Sequence, residues 1–340
     1  MPNSCQSIDT ARVQARLDNL CKPPGSLGQL EAVAQRLCLI QQTLAPQTRP
    51  RQVTVFAADH GVTAEGVTAW PSAVTAAVVR VMQTGRTASG VFAQSLGCDY
   101  EVVDVGLLRP LPPCGDTYID AAERRGSGNL LHEAALDVAD FDHAWQVGVQ
   151  RAAMACEAGK RLLIGGEMGI GNTTSASCLI GLFCKCDRNL LVGRGAGIDD
   201  EQLERKRAVV DAAIRRTETL KLSDAKRIAC QVGGLEIVAL AGFFAEGAKR
   251  GATVLVDGLI ATSAALVADA IVPETSKSMI AGHRSTEPGH VVALAKLGLT
   301  PVLDLQMRLG EATGALAALP MLDLAAAMIR DMGTLDELAW

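Results

Sequence analysis

Aromatic side chains are scarce in this sequence, and so are blocks of charge and long apolar runs. Phe, Trp and Tyr together make up 3% of the 340 residues, so a core has to be built from Ala, Val, Leu and Ile. The formal net charge is -5 and no block of five or more basic residues occurs, so we expect no nucleic-acid partner. No uninterrupted apolar run reaches the roughly 18 residues that cross a bilayer, and we expect no membrane partner either.

Ten cysteines are present, but a disulfide or metal-binding frame is missing. They are scattered along the chain, at Cys5, Cys21, Cys38, Cys98, Cys114, Cys156, Cys178, Cys184, Cys186 and Cys230. The amino terminus lacks the apolar stretch of a secretory signal, so the economical interpretation is a cytoplasmic protein with reduced thiols. A soft-metal site at Cys184 and Cys186 is the alternative, although no second cysteine pair or nearby histidine completes it.

The chain is otherwise rich in apolar residues, at 49%, and has 20% charged residues, as in globular proteins with a sizeable core. Short apolar runs end in Gly, Asp or other small residues, and helical patterns lie between them. The runs cover 53–58, 101–105, 161–164 and 253–256, and the helical patterns cover 71–83, 141–158 and 235–249. This alternation predicts an α/β fold with a parallel sheet and helices on both faces. Ligands of such sheets bind beyond the carboxyl ends of the strands.

Both ends of the chain have helical patterns. Residues 1–45 predict two helices separated by a Lys-Pro-Pro-Gly breaker at 22–25. The long segment 106–140, rich in Pro and Gly, predicts an irregular excursion that is functional or mobile. From residue 303 onward the sequence predicts helices broken at Gly310, Gly314 and Pro320.

The most informative segment is a glycine-rich loop between a strand pattern and a helical one, Gly165-Gly166-Glu167-Met168-Gly169-Ile170-Gly171-Asn172-Thr173-Thr174. Glycines let a backbone approach an anion, which the free N–H groups of the helix start then bind. The spacing matches neither a Walker loop nor a dinucleotide fingerprint. The alternative is that the glycines only permit tight strand-to-helix packing, but Glu167 in the same loop favours a functional site.

A second glycine-dense loop, at 193–197, precedes a charged helical pattern that carries Lys206. Lys206 lies about two turns into that helix, where it can reach back to a phosphate. The alternative for a lone lysine on a polar face is plain solvation.

Histidines stand in two further segments. Asp59 and His60 are adjacent at the end of a strand pattern, so their side chains point to opposite faces, which predicts supporting or turn-forming roles. His283, Glu287 and His290 have the chemistry of zinc ligands, but Pro288 and Gly289 interrupt a helix that would align them. The preferred interpretation is a loop that hydrogen-bonds a substrate.

Glu311 stands alone among small and apolar residues, in Arg308-Leu309-Gly310-Glu311-Ala312-Thr313-Gly314. A poorly hydrated carboxylate has a raised pKa and becomes a usable base near neutrality. The alternative is a hydrogen-bonded glutamate at the start of a helix.

Taken together, eight segments in this order resemble one family along essentially the whole chain. They are KPPGSLGQLE at 22–31, AADHGV at 57–62, GVTAWP at 66–71, GEMGIGNTT at 166–174, GRGAGID at 193–199, DGLIATSAAL at 257–266, GHRSTEPGH at 282–290 and RLGEATGA at 308–315. The family is nicotinate-nucleotide:5,6-dimethylbenzimidazole phosphoribosyltransferase, which makes the lower-ligand nucleotide of cobalamin.

The resemblance implies a large Rossmann-like α/β substrate-binding domain at 46–302. It also implies a small helical domain formed by 1–45 and 303–340, and a homodimer. The implied substrates are nicotinate mononucleotide and 5,6-dimethylbenzimidazole, with no cofactor and no metal. The products are α-ribazole 5′-phosphate and nicotinate.

The resemblance also implies roles for single residues. Glu311 is the general base, and Glu167 is expected to offset positive charge on the ribose. The phosphoribosyl group is expected against Gly169, Ile170, Gly171, Asn172, Thr173, Gly195, Lys206 and Ser285. The aromatic base is expected near Thr68, Pro71, Leu309 and Gly310. One departure concerns Ala76, because the family can place a glutamine about one turn past Pro71.

Two other functions compete with this interpretation. A nucleotide hydrolase would use Glu311 to activate water at the same ribose carbon. A non-catalytic protein would only bind nucleotides or azoles. The apolar surroundings of Glu311 and the segment around Trp70 favour an aromatic acceptor over water.

Overall fold

A parallel sheet organises the protein, of which a computed structural model describes residues 7–195 and 197–338. Within these ranges the sheet has seven strands, β1 Arg51–Ala58, β2 Asp99–Gly106, β3 Tyr118–Asp120, β4 Leu162–Met168, β5 Thr253–Val256, β6 Met279–His283 and β7 Pro301–Leu303. Their order is β3-β2-β1-β4-β5-β6-β7, and each neighbouring pair is parallel. The order reverses between β1 and β4, as in Rossmann folds.

Twelve α-helices accompany the sheet in the described ranges. They are α1 Thr10–Asp18, α2 Gln29–Gln41, α3 Ala73–Met82, α4 Ala88–Ser95, α5 Val138–Glu157, α6 Asn172–Cys184, α7 Asp200–Thr219, α8 Ala225–Val232, α9 Leu235–Lys249, α10 Leu259–Ile271, α11 Pro288–Leu297 and α12 Thr313–Asp331. The predicted strands are confirmed as β1, β2, β4 and β5. The predicted helices between them are confirmed as α3, α5 and α9.

The two faces of the sheet are buried by different helices, because side chains alternate along each strand. On β1, Val53, Val55 and Ala57 join one apolar cluster with residues of α1, α2, α4 and α12. Phe56 and Ala58 join the other cluster, with residues of α5, α6 and α9. The predicted parallel α/β fold with helices on both faces is therefore confirmed.

Several local expectations differ from the structure. The excursion at 106–140 is not wholly irregular, because it contains β3, and the short strands β6 and β7 were not predicted. Pro320 does not break α12, and Gly314 lies in its first turn. Burial of Leu316 and Leu322 on either side of Pro320 outweighs the lost backbone hydrogen bond.

The two chain ends meet beside the sheet. Arg16 of α1 donates to the carbonyl oxygens of Ile329 (3.2 Å) and Met332 (3.1 Å). Leu20 and Thr334 form an antiparallel bridge. These helices also share their apolar cluster with the sheet. The division into a terminal helical domain and a central domain stays a prediction.

By length and composition alone, α12 is apolar enough to cross a membrane. Most of its apolar side chains are buried against α2 and β6 inside the protein. A buried core helix passes the same test, so the composition of α12 is weak grounds for a membrane span.

The α5–α9 crossing gives a prediction about stability. A side chain at Gly148 of α5 would overlap the Ala239 carbonyl of α9 and lie 2.7 Å from the Phe243 nitrogen. We expect Gly148→Ala to lower the free energy of unfolding by about 2 kcal/mol, as overpacking does, measured by chemical denaturation. Met154→Ala, at a position 54% exposed on the same helix, is the control and should change it by less than about 0.5 kcal/mol. Equal stability of the two variants would contradict the close crossing.

Candidate active site

Polar side chains from four neighbouring strands meet at the carboxyl edge of the sheet. Asp59 and His60 follow β1, Glu167 lies near the end of β4, Asp257 follows β5 and His283 ends β6. All five are buried. Because the strand order reverses between β1 and β4, this edge is where the fold opens a cleft.

The cleft has an empty volume of about 1270 Å³, its open mouth included. It brings together nearly all the predicted site residues, namely Thr68, Glu167, Gly169, Ile170, Gly171, Asn172, Thr173, Gly195, Lys206, Ser285, Leu309, Gly310 and Glu311. Pro71 is exposed and does not line the cleft, whereas its neighbour Trp70 does. The roles of these residues in binding and catalysis stay predictions.

The glycines of the predicted loop divide into two groups, because Gly165 and Gly166 belong to strand β4 and only Gly169 and Gly171 follow it. A side chain at Gly165 would lie 2.6 Å from the Phe244 ring, and one at Gly166 would lie 2.8 Å from the Ala312 nitrogen. These two glycines therefore permit close packing. Gly169 and Gly171 line the cleft, and Gly171, at φ 101°, begins α6. The packing alternative therefore holds for Gly165 and Gly166, and anion binding by Gly169 and Gly171 stays a prediction.

Lys206 is buried, with 1% of its surface exposed, so the solvated-lysine alternative is wrong. Its Nζ donates to Thr173 Oγ1 at 2.8 Å and to the Gly193 carbonyl at 3.5 Å. Burial lowers the pKa of Lys206, and the nearby Glu287 carboxylate opposes that shift. A cation held at the start of α6 is suited to an anionic ligand.

Both backbone polar groups of Gly195, which lies in the second glycine loop, are hydrogen-bonded. Its N–H donates to Glu287 Oε1 at 2.8 Å, and its carbonyl accepts from Arg308 Nη1 at 3.1 Å. Arg308 lies three residues before Glu311, so this contact links the loop at 193–195 to the segment that carries the predicted base.

Glu167 is a buried carboxyl group among other acids. Burial raises its pKa well above the usual value, and Glu236 and Asp257 raise it further. The Asn172 side-chain amide donates to Glu167 and opposes the shift. Burial and the neighbouring acids therefore disfavour the ionised form of Glu167.

Glu311 lies in a tight left-handed turn before α12. Gly310, Glu311 and Ala312 have φ values of 88°, 60° and 66°. Glu311 Oε2 accepts from Ser89 Oγ at 3.1 Å. Burial raises the pKa of Glu311, the hydrogen bonds from Ser89 lower it, and Asp257 raises it. A raised pKa makes the carboxylate a stronger base, as the sequence predicts.

The histidines of the 282–290 segment do not converge on a common point. His290 Nδ1 accepts from the Ser285 N–H at 2.9 Å, so its proton is on Nε2, 2.9 Å from Thr262 Oγ1. Burial lowers the pKa of His290 to about 3, so the ring is neutral and orients Ser285. His283 Nε2 lies 3.7 Å from Asp257 Oδ1. In the described ranges no cluster of three metal-ligating side chains occurs.

Asp59 and His60 lie outside the cleft lining and make hydrogen bonds next to it. Asp59 accepts from the Ser72 hydroxyl and, at 2.9 Å, from the Leu108 N–H. His60 Nε2 lies 2.6 Å from Glu236 Oε1. Neither residue lines the cleft, in agreement with the predicted supporting roles.

Comparison with known proteins places this geometry in a family. A family model described as a phosphoribosyltransferase matches residues 5–339. The chain is 45% identical to nicotinate-nucleotide–dimethylbenzimidazole phosphoribosyltransferase of Chromobacterium violaceum, over 98% of this chain and 97% of the relative. It is 44% identical to the enzyme of the same name from Ralstonia nicotianae, over 95% and 91%. This chain belongs to the nicotinate-nucleotide–dimethylbenzimidazole phosphoribosyltransferase family.

A solved structure of a family member supports the same assignment. The crystal structure of CobT from Thermus thermophilus matches with a TM-score of 0.92 and 39% identity, over 96% of this chain and 97% of that one. The family assignment and the fold therefore rest on agreement along the full length of the chain.

In this member of the phosphoribosyltransferase family, some residues that line the cleft or contact its lining were not predicted from sequence. Ser89 binds Glu311 and is itself within 3.0 Å of the Tyr100 hydroxyl. Val74 and Val78 line the cleft one turn apart on α3, whereas Ala76 does not. Apolar residues four positions apart signal one helix face, but only the fold shows that this face meets the cleft.

Glu167 gives a prediction that separates stability from activity. A carboxyl group with a higher pKa in the folded than in the unfolded protein reduces stability as pH rises between the two values. We expect Glu167→Gln to raise the melting temperature at pH 8 and to lower kcat by roughly 10²-fold. The gain in melting temperature should vanish near pH 4, where the native carboxyl group is protonated.

The control is Glu201→Gln, which removes an 83% exposed carboxylate paired with Arg205. It should change neither melting temperature nor activity measurably, because exposed ion pairs contribute little. Calorimetric melting from pH 4 to pH 8 tests both variants. A lower melting temperature of Glu167→Gln at pH 8 would show that the buried carboxylate stabilises the fold.

Proposed function

We propose that this protein transfers the 5-phosphoribosyl group of nicotinate mononucleotide to 5,6-dimethylbenzimidazole, giving α-ribazole 5′-phosphate and nicotinate. One observation carries the proposal at the level of the site. A buried lysine beside a glycine loop and a buried glutamate with a raised pKa line the same cleft. The first suits a phosphate and the second suits an N–H proton.

The chemistry needs one base. The pyridine-like nitrogen of the benzimidazole attacks C1′ of the ribose, and the C1′–N bond to nicotinate breaks. The bonding electrons return to the nicotinate ring, which leaves without needing a proton. The benzimidazole N–H proton goes to Glu311, so charge balances. Attack opposite the leaving group inverts β to α at C1′.

Glu167 is proposed to act on the same carbon electrostatically. Positive charge is present on the pyridinium of the donor and spreads to the ribose as the C1′–N bond breaks. A cation next to a buried carboxyl group favours its ionised form. The pyridinium of the donor therefore opposes the upward shift of the Glu167 pKa, and the Glu167 carboxylate stabilises the developing charge.

The aromatic base is proposed to lie on the apolar part of the lining. Val74 and Val78 of α3, Ile170 and Leu309 provide that surface, and Leu309 is 60% exposed. Thr68 is oriented by donation to the Trp70 carbonyl at 2.8 Å. Apolar walls with few polar groups suit a flat hydrophobic ring.

Family resemblance also supports three broader proposals. The protein is proposed to be a homodimer, with a small domain of the two chain ends at 1–45 and 303–340. A cytoplasmic location is proposed because the nine described cysteines are free thiols, in keeping with a reducing compartment. Catalysis is proposed to need no metal or cofactor, since the leaving group carries no pyrophosphate.

The base assignment gives a direct prediction. Glu311→Gln keeps the side-chain shape but cannot accept a proton, so we expect kcat to fall roughly 10²–10⁴-fold. The measurement is chromatographic detection of α-ribazole 5′-phosphate, with and without EDTA. Glu274→Gln, at a side chain 69% exposed, is the control and should keep wild-type kcat. Full activity of Glu311→Gln would rule out Glu311 as the base.

The same assay separates transfer from hydrolysis. Nicotinate release by the wild-type protein should depend on added dimethylbenzimidazole. Release at an equal rate without the acceptor would indicate a hydrolase. Absence of any release, with nicotinate mononucleotide bound, would indicate a binding protein.

Lys206 gives a prediction for the phosphate end of the cleft. Lys206→Met removes a buried charge while filling a similar volume, so we expect KM for nicotinate mononucleotide to rise roughly 10–100-fold. The KM for dimethylbenzimidazole should stay within about twofold. Lys249→Met, at a side chain 76% exposed, is the matched control. An equal rise in both KM values would argue against a specific phosphate contact.

A further inference from the structure

His60 and Glu236 form a buried pair directly behind the glycine loop. Their exposed fractions are 2% and 0%, and His60 Nε2 lies 2.6 Å from Glu236 Oε1. His60 follows β1, and Glu236 lies in the first turn of α9, 176 residues further along the chain. Neither side chain lines the cleft, so neither contacts a ligand there directly.

The pair is in close contact with the glycine loop on the cleft side. A side chain at Gly169 would lie 3.1 Å from Glu236 Oε1 and 3.2 Å from His60 Cδ2. One at Gly171 would lie 3.2 Å from His60 Cβ. The backbone at Gly169 and Gly171 therefore packs closely against His60, and Gly169 also lies close to the Glu236 carboxylate and the Ala58 carbonyl.

Behind the pair, the backbone at the start of α9 closes the space. A side chain at Gly234 would overlap His60 Cε1 and lie 2.7 Å from Glu236 Oε2. The imidazole is thus wedged between the glycine loop and α9. A wedge packed on both sides fixes the separation of the two segments that it touches.

Stability alone does not account for such a pair. A buried pair of polar side chains is often no more stable than an apolar pair of the same size, because the polar groups lose hydration. His60 Nδ1 and Glu236 Oε2 also lack hydrogen-bond partners, which adds to that cost. Glu236 lies close enough to Glu167 to influence its protonation, so the pair also belongs to the electrostatics of the cleft.

We propose that His60 and Glu236 are positioning residues. They hold the backbone from Gly169 to Gly171 in the position where it binds the phosphoribosyl group of the donor. This inference rests on the proposed function, since it takes the glycine loop as the donor site. It assigns the pair to donor binding and not to binding of the aromatic acceptor, whose apolar wall comes from α3 and Leu309.

The test is Glu236→Asp, which draws the carboxylate back by one methylene and leaves the charge. A displacement of about 1 Å in a binding loop can reduce turnover about 10²-fold, so we expect kcat/KM for nicotinate mononucleotide to fall about 10–100-fold. The Kd of nicotinate mononucleotide, measured by calorimetry without acceptor, should rise by about tenfold or more. The KM for dimethylbenzimidazole should stay within about twofold. Glu236→Gln, which keeps the length and the oxygen acceptor, should restore most of the donor affinity.

The matched control is Glu101→Asp. Glu101 of β2 is also buried, at 9% exposure, and pairs with Arg151 of α5 outside the cleft. The Glu101→Asp variant should lose about as much stability as Glu236→Asp. Its Kd for nicotinate mononucleotide and its KM for dimethylbenzimidazole should stay at the wild-type values. A folded Glu236→Asp with unchanged donor Kd, or with equal losses for donor and acceptor, overturns the proposal.

If Glu236→Asp does not fold, His60→Asn replaces it with the same expected donor-specific loss. If neither variant folds, the pair is a folding requirement and the proposal is wrong. Because donor Kd is measured without turnover, it tests the pair independently of the reaction. Failure of the wild-type protein to transfer the group would count against the proposed function alone.

Discussion

The close approach of a left-handed turn to one strand is the contact on which the site depends. Gly166 of β4 has no side chain, and a Cβ there would lie 2.8 Å from the Ala312 nitrogen. The turn at Gly310, Glu311 and Ala312 fits into that space with three positive φ angles, two of them at residues that rarely adopt them. Asp257 Oδ1 then accepts from the Ala315 N–H at 2.8 Å, which fixes the start of α12. The predicted base is thereby held next to the glycine loop.

The close approach of the turn to β4 also brings several buried carboxyl groups together. Glu167, Asp257 and Glu311 have pKa values raised by burial, and each lies close enough to another acid for mutual repulsion. Such a cluster destabilises the folded protein near neutral pH, because buried acids resist ionisation. The surrounding core of two large apolar clusters supplies the stability that this edge of the sheet lacks.

The ionisable side chains at the two ends of the cleft, Lys206 and Glu311, have different electrostatic surroundings. Thr173 Oγ1, the Gly193 carbonyl and Glu287 surround Lys206, and the Glu287 carboxylate opposes the downward shift that burial gives to the pKa of Lys206. Glu311 accepts a hydrogen bond from the Ser89 hydroxyl and forms no ion pair within the described ranges, and burial raises its pKa. A strong salt bridge at Glu311 would lower its pKa and weaken it as a base. Arg308, three residues away, donates instead to the Gly195 carbonyl.

The sequence by itself determined those features of the protein that a local pattern of residues encodes. Continuous apolar runs ending in Gly or Asp predicted β1, β2, β4 and β5, and the family segments identified the lining of the cleft. The strands β3 and β7 escaped prediction because three residues carry too little periodicity, and β6 escaped it because Ala281 and Gly282 are residue types depleted in strands. Pro320 lies inside a helix because burial outweighs its local preference. Only the tertiary structure paired Ser89 with Glu311 across 222 residues and His60 with Glu236 across 176. Such contacts are set by strand order and packing, which no local pattern encodes.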